Sequence, residues 1–312
     1  MSIQATNADP LVAQPRADRL AYATGMLLDA QDFSDEQTYH RGRLARALAF
    51  VAGPGTLAGL EVRHLPESPT QVEEISVLPG VAVDRLGRLV ELPRDACLRL
   101  PRWYDAQRLA VIGDGTPTGN VPGSALTQAA YTDLARFASP RMIASGVALP
   151  ALAVVADVFL RFAACARGLT PSFAQGPFDA LNAVSISRLR DAYELLMIPR
   201  IGLDDAYSGL PLPPADPVAG DPDAAPEARR DALQDAVLHG WAGSGHAGGD
   251  GGLEPSPEQP RNLDPSAVFL ARVFIPVDNA TPPARLAAAP LVDNWGRRFL
   301  PPSALFAQWA GL

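Results

Sequence analysis

The sequence predicts a mainly β protein of the α+β class, folded as a β-sandwich or a barrel-like domain with α elements. Three observations lead to this class. Short apolar runs alternate with turn residues over 57–100, which is typical of antiparallel strands. An apolar run at 268–275, interrupted only by Arg272, has the length and composition of a buried strand. Strong helical periodicity is found early in the chain, after Ser34.

The composition allows one large domain or two small ones. The chain has 312 residues, 47% hydrophobic and 19% charged, which is enough apolar material for a sizeable core. Its 31 prolines and 26 glycines predict long loops and arms. We expect an extended arm over 1–24 and a single β-rich domain over 25–312. A loop and helix excursion at 112–146 and a Pro/Gly/Asp-rich insertion at 204–265 interrupt that domain.

The first element is a helix predicted over 35–51. Ser34 can act as its N-cap, and the acidic residues Asp35 and Glu36 follow in the first turn. Apolar residues then recur at helical spacing. The Gly-Pro-Gly sequence at 53–55 ends the helix.

A β-hairpin follows. Two runs typical of strands, 75–83 and 88–92, flank the sequence Asp-Arg-Leu-Gly at 84–87. This pattern predicts a bulged turn in which Gly87 takes a positive φ. A Pro-Gly pair inside the first run predicts a bend or bulge there.

The remaining elements are predicted from short apolar runs. The segment 185–197 predicts a helical turn that leads into a strand, and a short helix at 226–239 is possible inside the insertion. Strands are expected wherever valine, leucine or phenylalanine dominates a short run. These strands cover 57–65, 97–100, 152–162 and 268–275.

Charge and residue usage exclude several functions. A net charge of −8 argues against nucleic-acid binding, because phosphate neutralisation requires a basic surface. All 26 basic residues are arginine, which excludes a Schiff-base lysine, a lysine general base and a P-loop lysine. Two cysteines, Cys97 and Cys165, are too few for a thiolate metal site or a disulfide scaffold. We expect both to be small buried residues.

No segment predicts an active site, so we expect a protein that is not an enzyme and binds no cofactor or metal. The Gly-rich run at 113–119 lacks the spacing and the lysine of a P-loop. The loop at 239–250 contains Ser244, His246 and Asp250. Nucleophilic catalysis needs such groups on rigid elements, so a flexible linker is the favoured interpretation. A hydrolase that uses this loop is the least favoured alternative.

The chain has no segment typical of a secreted or membrane-inserted protein. Residues 1–19 lack the apolar core of a signal peptide. The longest apolar stretch, 147–166, is interrupted by Pro150, Asp157 and Arg161 and is too polar for a membrane span. We therefore expect no membrane insertion.

Several short motifs stand in a characteristic order. They are G-M-L-L-x-A-Q-D-F at 25–33 with E-Q-x-Y at 36–39, G-L-E-V at 59–62, G-x-x-x-D-x-x-G at 80–87, L-A-R-V at 270–273 and F-L-P-P at 299–302. In this order they resemble the N-terminal shoulder domain of the type VI secretion baseplate adaptor, TssK. Receptor-binding proteins of some phages and related baseplate proteins share this shoulder-type domain.

The resemblance implies binding partners and a location in a larger particle. It implies a homo-oligomer, a trimer in the adaptor family, that docks on the wedge proteins of a baseplate. We expect a structural baseplate or tail component of a contractile phage-tail-like particle or injection system, cytoplasmic during assembly and afterwards part of the particle. A receptor- or glycan-binding β module on such a particle is the alternative. Candidate aromatic residues for it are Trp241, Trp295 and Trp309.

Assembly contacts are expected where apolar residues occur without a core pattern of their own. The arm and the 204–265 insertion have this character, so they would become ordered against a neighbouring subunit. The early helix contributes aromatic residues of the first motif. The predicted contact residues are Leu11, Val12, Leu20, Phe33, Tyr39, Leu238 and Trp241.

Overall fold

The computed structural model describes residues 9–13, 18–109, 111–112, 123–171, 184–201, 209–211, 225–243, 253, 256–260 and 263–309. Within these ranges the protein is of the α+β class, as the sequence predicts, and its strands pair antiparallel. The sequence does not distinguish a β-sandwich from a barrel-like domain. In the described part of the chain no sheet closes into a barrel.

The strands are short except in the central sheet. In chain order they are β1 (Gly55–Gly59), β2 (Val62–Leu65), β3 (Glu74–Val77), β4 (Gly80–Val83), β5 (Leu89–Leu92), β6 (Ala96–Arg99), β7 (Val111–Ile112), β8 (Gly123–Ser124), β9 (Ala130–Tyr131), β10 (Ala153–Pro171), β11 (Val184–Pro199), β12 (Val268–Pro276) and β13 (Leu291–Asp293). The helices are α1 (Ala30–Val51), α2 (Leu100–Leu109), α3 (Ala125–Gln128), α4 (Pro140–Ala144), α5 (Pro226–Gly243) and α6 (Ser303–Trp309), with 3-10 turns at Pro10–Ala13 and Ala135–Phe137.

The central sheet has the strand order β11-β10-β12-β13, and β9 pairs with the start of β10. β12 is buried along its whole length, because its apolar side chains face packed layers on both sides. The first eight residues of β10 are buried as well. Both strand predictions, at 152–162 and 268–275, are confirmed. Each fully buried large aliphatic or aromatic side chain contributes about 1.5–3 kcal/mol.

Two three-stranded sheets share their core with the central sheet. Their orders are β1-β4-β5 and β2-β3-β6, and the small pair β7-β8 lies apart from both. The chain changes sheet at Leu60, which is fully buried and has a φ of +58°. The strand predicted at 57–65 is therefore two strands in different sheets. The bend predicted near Gly80 is present, since the run 75–83 divides there into β3 and β4, which belong to different sheets.

β4 and β5 form the predicted hairpin, and Gly87 in its turn has the expected positive φ, +84°. The Asp84 carboxylate accepts hydrogen bonds from the backbone N–H groups of Leu86 and Arg88, at 2.9 and 2.8 Å. A Cβ at position 87 would lie 1.7 Å from the carbonyl oxygen of Ala45 in α1. The turn and the helix contact therefore both require glycine.

α1 begins at Ala30 rather than at residue 35, because Asp29 and not Ser34 is its N-cap. The Asp29 carboxylate accepts hydrogen bonds from the backbone N–H groups of Gln31 and Asp32. The Asp32 carboxylate in turn accepts one from the backbone N–H of Asp29, at 2.9 Å. This reciprocal capping box satisfies donors that the first helical turn leaves free.

The segment predicted to begin with a helical turn, 185–197, is strand throughout, so that part of the prediction is wrong. It lies within β11, which pairs with β10 in one constant register from Ala156↔Pro199 to Pro171↔Val184. The short helix predicted at 226–239 corresponds to α5, which is exposed over nearly all of its described side chains.

Residues 123–146 pack into the core, which differs from the excursion predicted for 112–146. Leu126 and Phe137 are fully buried. Ser139 caps α4, and its backbone N–H and hydroxyl both donate to the carboxylate of Asp293 in β13, at 2.6 and 2.8 Å. Residues 113–122 lie outside the described residues.

A buried ion cluster joins three elements of the central layer. Arg272 of β12 donates to both carboxylate oxygens of Asp157 in β10, at 2.8 and 2.9 Å, and both side chains are fully buried. The Nε atom of Arg200 lies 3.2 Å from the same carboxylate. Arg272 also donates to the carbonyl oxygens of Phe137 and Gly209. Such a cluster is costly to break, because its remaining charges would be buried without partners.

The strand predicted at 97–100 is β6, at the outer edge of its sheet. Its side chains alternate between half-buried and exposed, and Cys97 is exposed. Cys165 in β10 is half-buried. The expectation that both cysteines are buried is therefore wrong for Cys97 and only partly met by Cys165.

Candidate functional site

Helix α1 lies on the β4–β5 hairpin through a face of small residues. Ala45 is the one buried residue of this helix. A Cβ at Gly87 would meet the Ala45 carbonyl oxygen at 1.7 Å and the Ala49 amide nitrogen at 3.0 Å. The helix backbone therefore rests directly on the turn, and the rest of its surface faces away from the hairpin.

Asp9 fastens the segment before α1 to the same hairpin. Its carboxylate lies 3.0 Å from a guanidinium nitrogen of Arg88 and 3.3 Å from one of Arg41 in α1. Arg88 also donates to the carboxylate of Asp84, at 2.7 Å, and to the hydroxyl of Ser266, at 2.8 Å. One guanidinium thus joins the N-terminal segment, the hairpin and the approach to β12.

Asp84 and Arg88 form a buried ion pair that makes this position rigid. Burial raises the pKa of the Asp84 carboxyl, and the charge and hydrogen bonds of Arg88 oppose that rise. Removing either partner would leave a buried charge without compensation. The hairpin is therefore a fixed support for α1.

The side of α1 that faces away from the hairpin carries exposed apolar side chains. Phe33, Leu44 and Val51 are 52%, 60% and 87% exposed. They are separated by about three turns and about two turns, so they lie along one line of the helix. We call these three residues the outer stripe. Polar residues such as His40 separate them, so the stripe is a row of spaced apolar anchors, the pattern with which helix faces bind partner proteins.

The segment before α1 extends this apolar surface. Met26, Leu27 and Leu28 are all exposed, Leu27 almost completely. The Tyr22 hydroxyl donates a hydrogen bond to the Glu36 carboxylate in α1. This hydrogen bond, together with the negative charge of Glu36, raises the pKa of the Tyr22 phenol. The segment is thereby held against the start of the helix.

A second exposed feature is the outer part of the β10–β11 hairpin. β12 accompanies β10 only as far as Leu160, whereas β11 pairs with it as far as Pro171. At ~3.3 Å per residue, positions 161–171 extend roughly 36 Å from the sheet. We call residues 163–171 and 184–192 the ribbon. Its exposed large apolar side chains are Leu169, Ile186 and Leu189.

α1 and the ribbon arise from the same part of the molecule. The guanidinium carbon of Arg88 lies 4.6 Å from the ring centroid of Phe162. Phe162 is the last buried residue of β10 before the ribbon. Arg88 therefore packs against the base of the ribbon while it supports the helix, so two candidate assembly surfaces, α1 and the ribbon, start from one position in the fold.

Of the contact residues predicted in the arm, Leu11 differs most from expectation. It is buried in its own subunit, in the turn that follows Asp9, so it anchors the arm instead of facing a neighbour. Val12 is 46% exposed and Leu20 is half-buried. The described parts of the arm, 9–13 and 18–24, are therefore attached to the domain at Asp9 and Leu11.

The other predicted contact residues lie on two helices. Phe33 belongs to the outer stripe, and Tyr39 is half-buried with the Arg43 guanidinium 5.2 Å from its ring centroid. Leu238 is 75% exposed in α5. Trp241 is also in α5, but its side chain lies outside the described part of the structure.

Sequence reasoning missed the ribbon. Its signal in the sequence is the change of composition after Phe162, from large apolar residues to small and polar ones. A strand that continues beyond its buried half predicts an exposed extension. The mistaken helical turn at 185–197 concealed the partner strand.

A half-buried charged cluster lies on the second small sheet. The Glu73 carboxylate is 2.8 Å from Nε2 of His64 and 2.7 Å from the Arg285 guanidinium. Burial opposes ionisation of Glu73, but the hydrogen bonds of Arg285 and His64 keep its pKa below the usual value. The cluster joins the loop after β12 to β2 and β3, which is a structural role.

Of the loops considered for chemistry, 113–119 and 244–250 lie outside the described residues, whereas 239–243 form the end of α5 and are not a loop. In the described ranges, no group of three or more histidine, cysteine or acidic residues could hold a metal ion. Among the helices that the structure describes, none combines the length and hydropathy needed to cross a membrane.

Comparison with models of known protein families gives no match, and comparison with curated proteins finds no significant similarity. The geometry of α1 and the ribbon is therefore the basis on which function is inferred.

Proposed function

We propose that this protein is a structural component of the baseplate or tail of a contractile phage-tail-like particle or injection system. It forms a homo-oligomer, a trimer if it follows the adaptor that it resembles, and docks on other baseplate proteins. It is cytoplasmic while the particle assembles. The observation that carries this proposal is the outer stripe on a helix that is fixed to the domain.

The outer stripe supports binding to another protein, because burying its apolar side chains in an interface is favourable in free energy. Covering a large apolar side chain contributes up to about 1.5–3 kcal/mol. The support provided by Gly87, Asp9 and Arg88 fixes α1 before binding, so little conformational freedom is lost on association. A rigid apolar helix face is a common element of permanent interfaces.

One residue of the stripe, Phe33, also belongs to the motifs that carry the family resemblance. Phe33 closes the motif at 25–33, and Tyr39 closes the motif at 36–39. Both residues lie on α1, the helix that the motif enters. The resemblance and the exposed apolar surface therefore support the same part of the chain as the assembly element.

A second candidate function, receptor or glycan binding on the same kind of particle, is supported by one aromatic group. Trp295 is 44% exposed, and its ring centroid lies 6.3 Å from that of Phe299. The Arg141 guanidinium carbon is 3.4 Å from the Trp295 ring centroid. This group offers aromatic surface and a positive charge for a polar ligand.

The assembly proposal is tested with Leu44→Asp, which places a charge in the outer stripe. The matched control is Val72→Asp, at an apolar residue 44% exposed in the loop between β2 and β3. Leu44→Asp should abolish incorporation into particles, measured by quantifying the subunit in purified particles, while Val72→Asp is incorporated as wild type. Wild-type incorporation of Leu44→Asp would refute the proposal.

The receptor alternative is separated from assembly by Trp295→Ala. Particles containing this variant should assemble normally under both proposals. Loss of adsorption to target cells with intact particles would favour the receptor function, and unchanged adsorption would remove its support.

A further inference from the structure

Two surface patches on this chain carry opposite charge, and the first surrounds the start of α1. Residues 25–40 contain four acidic side chains and no arginine. The exposed apolar residues Leu27 and Phe33 lie among them. We call residues 25–40 the acidic patch. Its acids are Asp29, Asp32, Asp35 and Glu36.

The second patch is one face of the ribbon. Side chains alternate between the faces of a strand, and the constant register of β10 and β11 brings three arginines and two aliphatic residues to the same face. All five are exposed. Asp191, the one acid in the described residues of the ribbon, belongs to the opposite face. This basic patch consists of Arg167, Arg188, Arg190, Leu169 and Ile186.

The arginines of the basic patch are unfavourable within one subunit. Arg167 and Arg188 stand directly opposite each other in the register, and like charges in that position destabilise a sheet. No ion pair connects either residue to a carboxylate in the described part of the chain. An acidic surface from another molecule would relieve this repulsion.

We propose that the basic patch of one copy binds the acidic patch of a second copy. This inference rests on the homo-oligomer of the proposed function and names the two surfaces that meet in it. The patches match in sign, and each combines charges with exposed apolar side chains. Because they are different surfaces of one chain, the contact is head-to-tail and can close into a ring such as a trimer.

Local charge complementarity, acting against an unfavourable overall charge, argues for a second copy as the occupant. Copies with a net charge of −8 repel one another over most of their surface. Three clustered arginines are a local exception, and opposite charges steer partners into one orientation. The base of the ribbon and the support of α1 meet at Arg88, so the elements that carry the two patches are both anchored at this buried residue.

Charge reversal tests this contact. One variant carries Arg188→Glu and Arg190→Glu, a second carries Asp35→Arg and Glu36→Arg, and a third combines all four changes. Light scattering after size exclusion gives the mass of each at about 0.1 M salt. We expect each pair of reversals to weaken self-association at least tenfold, and the combined variant to recover the wild-type mass.

The matched control reverses two exposed arginines outside both patches, Arg94→Glu and Arg99→Glu, and should keep the wild-type mass. Circular dichroism and thermal melting confirm that each variant is folded. A monomeric wild type, a wild-type mass for either pair of reversals, or a combined variant that stays dissociated would overturn the inference.

Particle incorporation separates this inference from the proposed function. If the reversals dissociate the oligomer as described but wild-type subunits are absent from particles, the contact stands and the particle function fails. If wild-type and reversed subunits are incorporated equally, the particle function stands and the contact between the two patches is wrong.

Discussion

The two halves of β10 keep one register with the same partner strand but lie in different surroundings. In the inner half, Leu160 is fully buried and pairs with Leu195. In the outer half, Leu169 is 71% exposed and pairs with Ile186. Hydrogen bonding to β11 is continuous across both halves, so strand pairing alone does not determine what a residue does. Burial by the layers above and below determines it.

The same division applies to α1. Its Ala45 side rests on the hairpin, and its Leu44 side faces outward, although the two residues are adjacent in sequence. In both elements, one side contributes to folding and the other is available for association. The comparison predicts that substitutions on the two sides affect different measurements.

Asp157→Ala should have the largest effect, because it removes the carboxylate from the inner half of β10 and leaves Arg272 and Arg200 buried without it. A loss of about 3–5 kcal/mol is expected, a large share of the stability of a typical domain. Asp191→Ala in the outer half is the matched control and should stay within about 0.5 kcal/mol. Soluble expression and urea unfolding measure both. Equal stability of the two variants would show that the inner and outer halves of β10 contribute alike to folding.

Leu160→Ala and Leu169→Ala make the same substitution in the inner and the outer half of β10, so they compare the effect of each half on stability. The inner substitution should cost about 2–5 kcal/mol, since it leaves a cavity in the core. The outer substitution should change stability by less than about 0.5 kcal/mol but weaken self-association. Urea unfolding and light scattering give the two measurements. A Leu169→Ala protein that is as unstable as Leu160→Ala would show that the ribbon belongs to the core.

Gly87→Ala tests the contact between the β4–β5 turn and the backbone of α1. Gly146→Ala is the control, because Gly146 also has a positive φ, +71°, but a Cβ there meets nothing within 4 Å. The control should lose about 1 kcal/mol from backbone strain. Gly87→Ala should lose a further ~1–3 kcal/mol, because its methyl group overlaps the Ala45 carbonyl. Identical melting temperatures for the two variants would mean that the helix does not rest on the turn.

Asp9→Asn should have the smallest effect on global stability. It removes the charge that pairs with Arg41 and Arg88. Arg88 still has its ion pair with Asp84. We expect a loss of about 1–2 kcal/mol and faster amide hydrogen exchange at the Pro10–Ala13 turn. Unchanged exchange at this turn would show that Leu11 alone holds the segment.

The sequence predicts those elements whose signals are local. The hairpin around Gly87 follows from its turn residues, and the strand at 268–275 follows from eight consecutive residues dominated by apolar side chains. The periodicity of the sequence predicts the helix at 35–51, but it does not predict that the helix starts at Ala30. Ser34 and Asp29 are both good capping residues, and the reciprocal bond from Asp32 decides between them.

The features that were missed depend on distant partners. Residues 185–197 fit a helical and a strand period about equally, and pairing with β10 decides the outcome. Asp9 has no local sign of its contact with Arg88, which is 79 positions away in the sequence. The contact residues of the arm were predicted from composition alone, and composition cannot distinguish Leu11, which is buried, from its exposed neighbour Val12.

The close contact between Gly87 and Ala45 also constrains how this protein can change during evolution. Any side chain at position 87 would push against the backbone of α1, and Ala45 is buried, so a larger side chain there would need new space. A change at one position is therefore tolerated only with movement of the whole helix, which would also displace the outer stripe. In related sequences we expect these two positions to stay small together or to vary together. A lineage that has lost glycine at 87 should also show a changed surface along α1.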